Sequence, residues 1–160
     1  MLSLDTIERM IGEGKGHQIQ KVMSVAATTT VYHVLDFTAC TGKIYSRPIL
    51  IKPNLGYITI DSYGVDSYTG GTAVTPNTLV GDTADTLAVV KTGVTPGTGS
   101  YNKREYFAGT KSTNQSSGSG IAMGDTVAKE LSTEKPVIIK IVNSGTESID
   151  YEFGIVWVES

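Results

Sequence analysis

Ile149-Asp150-Tyr151-Glu152-Phe153-Gly154-Ile155-Val156-Trp157-Val158 decides the fold class of this chain. Ile149, Tyr151, Phe153, Ile155 and Trp157 alternate with Asp150, Glu152 and Gly154, which sets the large apolar side chains on one face of a strand and the polar ones on the other. On a helix, residues two apart lie on opposite sides, so no apolar face would form. The segment predicts a core strand.

Just before it, Pro136-Val137-Ile138-Ile139-Lys140-Ile141-Val142 is a second strand-forming run, and Asn143-Ser144-Gly145-Thr146-Glu147 between the two has hairpin length and a turn glycine. These strands are expected to pair antiparallel. Further outward, segments near 18–25, 29–37, 44–51, 56–62, 86–91, 103–108 and 127–131 are rich in Val, Ile, Thr and Tyr and read as strands. Pro48 cannot donate to a ladder and marks 44–51 as an edge or bulged strand. About eight strands without helical spacers predict an all-β fold, an antiparallel sandwich or barrel.

The N-terminus departs from this pattern. Asp5-Thr6-Ile7-Glu8 resembles a capping box, and Leu4, Ile7, Met10 and Ile11 share one helical face, predicting a short N-terminal helix over 3–11 that Gly12 ends. So short a helix needs something to dock on, and Leu2, Leu4, Ile7, Met10 and Ile11 are the candidate anchor residues, facing this domain or another protein. Gly12-Glu13-Gly14-Lys15-Gly16 reads as a flexible connector. It follows a helix and enters a strand, the reverse of a phosphate-cradling loop. The expected organisation is helix plus connector over 1–16 and a β-sandwich domain over 17–160.

The 160 residues suffice for one domain with a core. Net charge is −3 and the 13 Lys and Arg residues are scattered without a basic stripe among aromatics, which argues against nucleic acid as partner. No stretch approaches the ~18 apolar residues of a membrane helix, and Met1–Arg9 lacks a basic segment followed by an apolar run. A soluble protein without a secretory leader and without membrane contact is expected. The single cysteine, Cys40, excludes an intrachain disulfide.

His17, His33 and Cys40 are the candidates for nucleophilic chemistry. His33 is in phase with Val31 and Leu35, so the favoured reading places it in or beside the core, whereas His17, at the connector, is expected to face solvent. Cys40 has no reactive-thiol signature and reads as a small packing group. Asp61, Asp66, Asp82 and Asp85 lie in or near loops without the spacing of a calcium loop, and turn capping is favoured over a catalytic carboxylate pair. No catalytic residue, cofactor or metal ligand is assigned.

Thr69–Thr83 and Gly109–Gly120 are dominated by Gly, Thr, Ser, Asn and Pro and read as long displayed loops. Tyr57, Tyr63, Tyr68, Tyr101, Tyr106 and Phe107 gather around them in the sequence. Of these, Tyr63, Tyr68, Tyr101, Tyr106 and Phe107 are the candidate oligomer or receptor contacts, because such rings bury large area and Tyr keeps a hydrogen-bonding hydroxyl.

Gly70-Gly71-Thr72-Ala73-Val74-Thr75-Pro76-Asn77, Val89–Thr95, Glu105-Tyr106-Phe107-Ala108-Gly109, Ser112–Gly118 and the closing Gly154-Ile155-Val156-Trp157 occur in an order that resembles small tailed-bacteriophage virion proteins. The resemblance spans roughly residues 17 to 158 and is structural in kind. Thr78-Leu79-Val80-Gly81 departs from it, since members often carry Asn-Arg there. It implies a non-enzymatic virion structural protein built as an antiparallel jelly-roll-like β-sandwich, a head decoration or head-fibre component on the particle surface, soluble in the host cytoplasm before assembly. The implied partners are the major capsid protein or another virion protein and further copies of the chain, a trimer by analogy with virion appendages. The alternative is a receptor- or carbohydrate-binding module of a tail or fibre, and a hydrolase using the loop aspartates has no specific support.

Overall fold

The computed structural model describes residues 15–46, 49–78, 86–110, 118–119, 121–123 and 129–159, together with 5, 8 and 9. The expected anchor residues Leu2, Leu4, Ile7, Met10 and Ile11 lie outside the described residues, as do Pro48, Asp82, Asp85 and residues 111–117. Among the described residues the chain forms fourteen strands. In order they are β1 (Gly16–Val25), β2 (Thr29–Asp36), β3 (Ile44–Ser46), β4 (Ile49–Pro53), β5 (Tyr57–Gly64), β6 (Tyr68–Ala73) and β7 (Asn77–Thr78). There follow β8 (Val89–Pro96), β9 (Tyr101–Thr110), β10 (Gly118–Ser119), β11 (Ile121–Met123), β12 (Lys129–Leu131), β13 (Val137–Asn143) and β14 (Ile149–Glu159).

They build two seven-stranded antiparallel sheets. Sheet one runs β11-β4-β14-β1-β7, with β3 bridging β14 and β12; sheet two runs β10-β9-β5-β13-β2-β8-β6. The chain therefore crosses between sheets from β1 to β2, β2 to β3, β4 to β5, β6 to β7, β7 to β8, β10 to β11, β12 to β13 and β13 to β14. The protein is all-β, two packed antiparallel sheets, as expected of a β-sandwich.

The alternation in β14 does what the sequence predicts. Tyr151, Phe153, Ile155 and Trp157 are buried against Ile58, Ile60, Leu35, Ile139 and Ile141 of sheet two. Each such side chain contributes about 1.5 to 3 kcal/mol by leaving water. The hairpin expected between β13 and β14 does not form: β13 pairs with β2 and β5, whereas β14 pairs with β1, β3 and β4. The reason is that β13 has two apolar faces. Ile139 and Ile141 face the sandwich interior, while Ile138 joins Val34, Val65 and Val94, with Tyr32, Tyr63 and Tyr68, in a second cluster on the far side of sheet two. A strand covered on both faces belongs in the middle of a sheet.

Three further differences follow from local chemistry. The strand expected at 44–51 is two short strands, β3 and β4, both paired with β14. The supposed loop at 69–83 is partly strand, since β6 pairs along β8 and β7 with β1. Gly71 permits this: its φ is +84°, and a Cβ there would lie 2.6 Å from Val94 Cγ1. The strand expected at 86–91 is β8, displaced to Val89–Pro96.

Asn143 locks the β13–β14 crossing. Its buried Nδ2 donates to the carbonyls of Glu147 at 2.7 Å and of Val25 and Ala26 at 3.2 Å, and its Oδ1 accepts from Gly145 N at 2.9 Å. Thr28 N donates to Gly145 O at 3.1 Å, so the turns after β1 and β13 are stitched together. Asn143→Ala orphans these groups and should cost about 2 kcal/mol in urea unfolding, with an unchanged native β signature.

Candidate interaction surface and cleft

Strand alternation sorts the five aromatic contact candidates into separate places. Tyr106 and Phe107 are adjacent on β9 and must point to opposite faces. Tyr106 packs against the main core, and Phe107 is 72% exposed on the outer face of sheet two. Tyr63 and Tyr68 belong to the outer cluster. The Tyr68 hydroxyl donates to Asp36 Oδ2 at 2.8 Å; burial first, then this carboxylate, pushes it up to about 12. Tyr101 stands at another corner. The structure does not bring the five together as one platform.

Phe107 instead has different neighbours. It is cross-strand from Thr59, which is cross-strand from Val142, and Tyr57, 66% exposed, lies one step along the same face. Gly109 opposite Tyr57 makes room, because a Cβ there would sit 2.7 Å from Tyr57 Cβ. Tyr57, Thr59 and Val142 also line a shallow recess of about 340 Å³ with Leu55 and the 143–147 crossing. Exposed Tyr57 and Phe107, with half-buried Val142 of β13 and Leu55 in the turn before β5, thus make an apolar patch. Beside it lies a charge belt in which Lys103 meets Glu105 at 3.1 Å and Asp61 at 3.8 Å, and Lys140 meets Asp61 at 4.0 Å. Sequence position hides Leu55 and Tyr57 as partners of Phe107; only the β5–β9 register reveals them.

At the opposite end of β5 the sheets part into a cleft of about 430 Å³. Its apolar lining comes from Leu35, Phe37, Ile49, Leu131 and Val137, and its aromatic lining from Tyr63, Tyr101 and Tyr106. Arg104, Glu130, Glu134 and Lys135 add charge. Beside it Asp66 accepts from Lys135 Nζ at 2.6 Å, Tyr101 Oη at 3.1 Å and Thr98 Oγ1 at 3.2 Å, while Lys135 also lies 4.4 Å over the Tyr101 ring. The Lys135 hydrogen bond, then that of Tyr101, holds the Asp66 carboxyl below its ordinary range. Asp66 therefore does not cap its own turn but, through distant side chains, helps tie the 65–67, 97–100 and 132–136 segments into one wall.

The nucleophile candidates are otherwise engaged. His17 is buried rather than solvent-facing, since β1 starts at Gly16 and its register sets His17 against Trp157, with the rings stacked 5.4 Å apart. Glu159 lies 3.7 Å from His17 and accepts from Trp157 Nε1 at 3.1 Å and from Thr86. His33 is in the core as expected, hydrogen-bonded through Nε2 to the Tyr151 hydroxyl at 2.5 Å. Burial lowers its pKa from 6.5 to about 4, keeping the ring neutral. Burial first, then the charges of Glu159 and Asp36, raises the Cys40 thiol to about 11 and keeps it protonated.

Among the described residues no group of His, Cys, Asp and Glu is gathered as a metal cage, and no helix is long and apolar enough to cross a membrane. No protein-family model, curated protein or solved structure matches the chain.

Proposed function

We propose that this chain is a non-enzymatic structural protein of a bacteriophage virion, decorating or cementing the capsid as a homo-oligomer. The observation that carries self-association is the exposed patch of Leu55, Tyr57, Phe107 and Val142 on the outer face of sheet two. Large aromatics held flat on paired strands cost little side-chain entropy to bury against a second copy. The neighbouring belt carries both signs of charge, so in a ring of three the lysines of one copy can face carboxylates of the next. The virion setting rests on the ordered motif resemblance and on a jelly-roll arrangement. In support of the latter, β1-β14-β4-β11 faces β2-β13-β5-β9, the order produced by two interlocked Greek keys, with β6 and β8 extending the second sheet.

Sedimentation equilibrium tests self-association. The chain should sediment at three times its 17.0 kDa mass, and Tyr57→Ser with Phe107→Ser should return it to monomer without loss of stability. A monomeric unaltered chain, or an oligomer indifferent to both substitutions, rejects the patch as the contact. The alternative role, a receptor- or carbohydrate-binding module of a tail or fibre, is favoured by the cleft that Tyr101 and Tyr106 line.

A further inference from the structure

We propose that the cleft between β5, β9 and the 130–135 segment is a binding site for a neutral saccharide of one or two pyranose rings. The inference deepens the receptor-binding alternative above and rests on it for biological meaning. Its volume, about 430 Å³, falls in the range of pockets that enclose small ligands. The interior is apolar, from Leu35, Phe37, Ile49 and Leu131, and Tyr101 and Tyr106 add aromatic surface of the kind on which a pyranose C–H face lies. Tyr101 is 44% exposed, so part of that surface is presented to solvent.

The charges choose the ligand class. Four charged side chains line the cleft, yet Lys135 is taken up by Asp66 at 2.6 Å and Glu130 by Lys43 at 3.5 Å. Arg104 and Glu134 remain, and among the described residues neither has an ion-pair partner. Arg104 is on the inner face of β9, cross-strand from Ser62, which also lines the cleft. A guanidinium offers only donors and a carboxylate only acceptors. An anionic ligand would meet Arg104 but be repelled by Glu134, and a cationic ligand the reverse. Hydroxyls both accept and donate, so the hydroxyl groups of a neutral sugar suit both side chains without a net charge. The Asp66 network keeps Tyr101 and Lys135 in place before the ligand arrives, which limits the ordering cost of binding.

The full chain is titrated with maltose, cellobiose and lactose, and with glucuronic acid and glucosamine as charged counterparts, while amide and side-chain shifts are followed by NMR. At least one neutral disaccharide should bind with a Kd of about 1 mM or tighter, shifting Tyr101, Arg104 and Glu134, and the charged sugars should bind more weakly. Arg104→Gln and Glu134→Gln should each weaken binding about tenfold or more, while Val22→Ser, exposed on β1 of sheet one, leaves it unchanged. Absence of binding by all three neutral sugars, or binding indifferent to both cleft substitutions, overturns the proposal. Host-cell binding separates the two levels. Cell binding that survives the Arg104→Gln and Glu134→Gln pair overturns the cleft as the site and leaves the receptor-binding reading standing. Saccharide binding lost in the pair, without cell binding by the unaltered chain, upholds the cleft and removes that reading.

Discussion

Trp157→Ala is expected to cost about 3 to 5 kcal/mol, the range for removing a buried large aromatic. The indole is 1% exposed at the end of β14, stacked on His17 at 5.4 Å and edge-on to Phe37 at 5.7 Å. Its Nε1 donates to Glu159, which also accepts from Thr86 and so fastens the 86–88 segment to β14. Alanine leaves a cavity between the sheets and orphans one Glu159 contact at once. For a domain whose whole stability is about 5 to 15 kcal/mol, the loss takes a large share. Urea unfolding should show the midpoint falling steeply, whereas Trp157→Phe, which keeps a ring between His17 and Phe37, should retain more than half of the difference. Equal stability of Trp157→Ala and the unaltered chain contradicts the packing described.

The second large effect is set by pH through His33. Below pH 6.5 the unfolded chain binds a proton at His33 that the folded chain refuses until about pH 4, because burial against Tyr151 and Phe153 disfavours the imidazolium. Stability therefore is complete above pH 6.5 and falls with pH across the window, by about 3 kcal/mol in total from this one group. Other titrating groups contribute as well, so the informative quantity is the difference between the unaltered chain and His33→Leu combined with Tyr151→Phe. The paired substitution removes both members of the buried hydrogen bond and leaves neither stranded. The difference in unfolding free energy should swing by about 3 kcal/mol between pH 7 and pH 4; a difference independent of pH would place His33 in water.

β14 was legible because its large side chains from Ile149 to Trp157 alternate with Asp150, Glu152 and Gly154 over most of its length, a pattern a half-covered strand explains. The β13–β14 crossing was not, because five residues with a glycine serve a hairpin or a change of sheet equally well. What distinguishes them is Ile138 beside Ile139: two neighbouring isoleucines on a strand need cover on both faces, and that cover comes from Val65 and Val94, far away in sequence. Thr69–Ala73 looked like loop because two glycines and two threonines leave an edge strand little to bury. His17 was misread through its glycine-rich neighbours, whereas its ladder register to Trp157 decides its burial. At the site, the tyrosines were visible as residue types, but which of them share a face depends on the β5–β9 register, and the loose charges of Arg104 and Glu134 depend on who occupies Lys135 and Glu130.

The proposed role sets the chain on the surface of a phage particle, repeated through contacts between copies. Antibody labelling of intact phage particles that contain the chain's gene, viewed by electron microscopy, tests this proposal most directly. Label spread regularly over the head is the expected result. Label confined to the tail tip, or absent from intact particles, contradicts it.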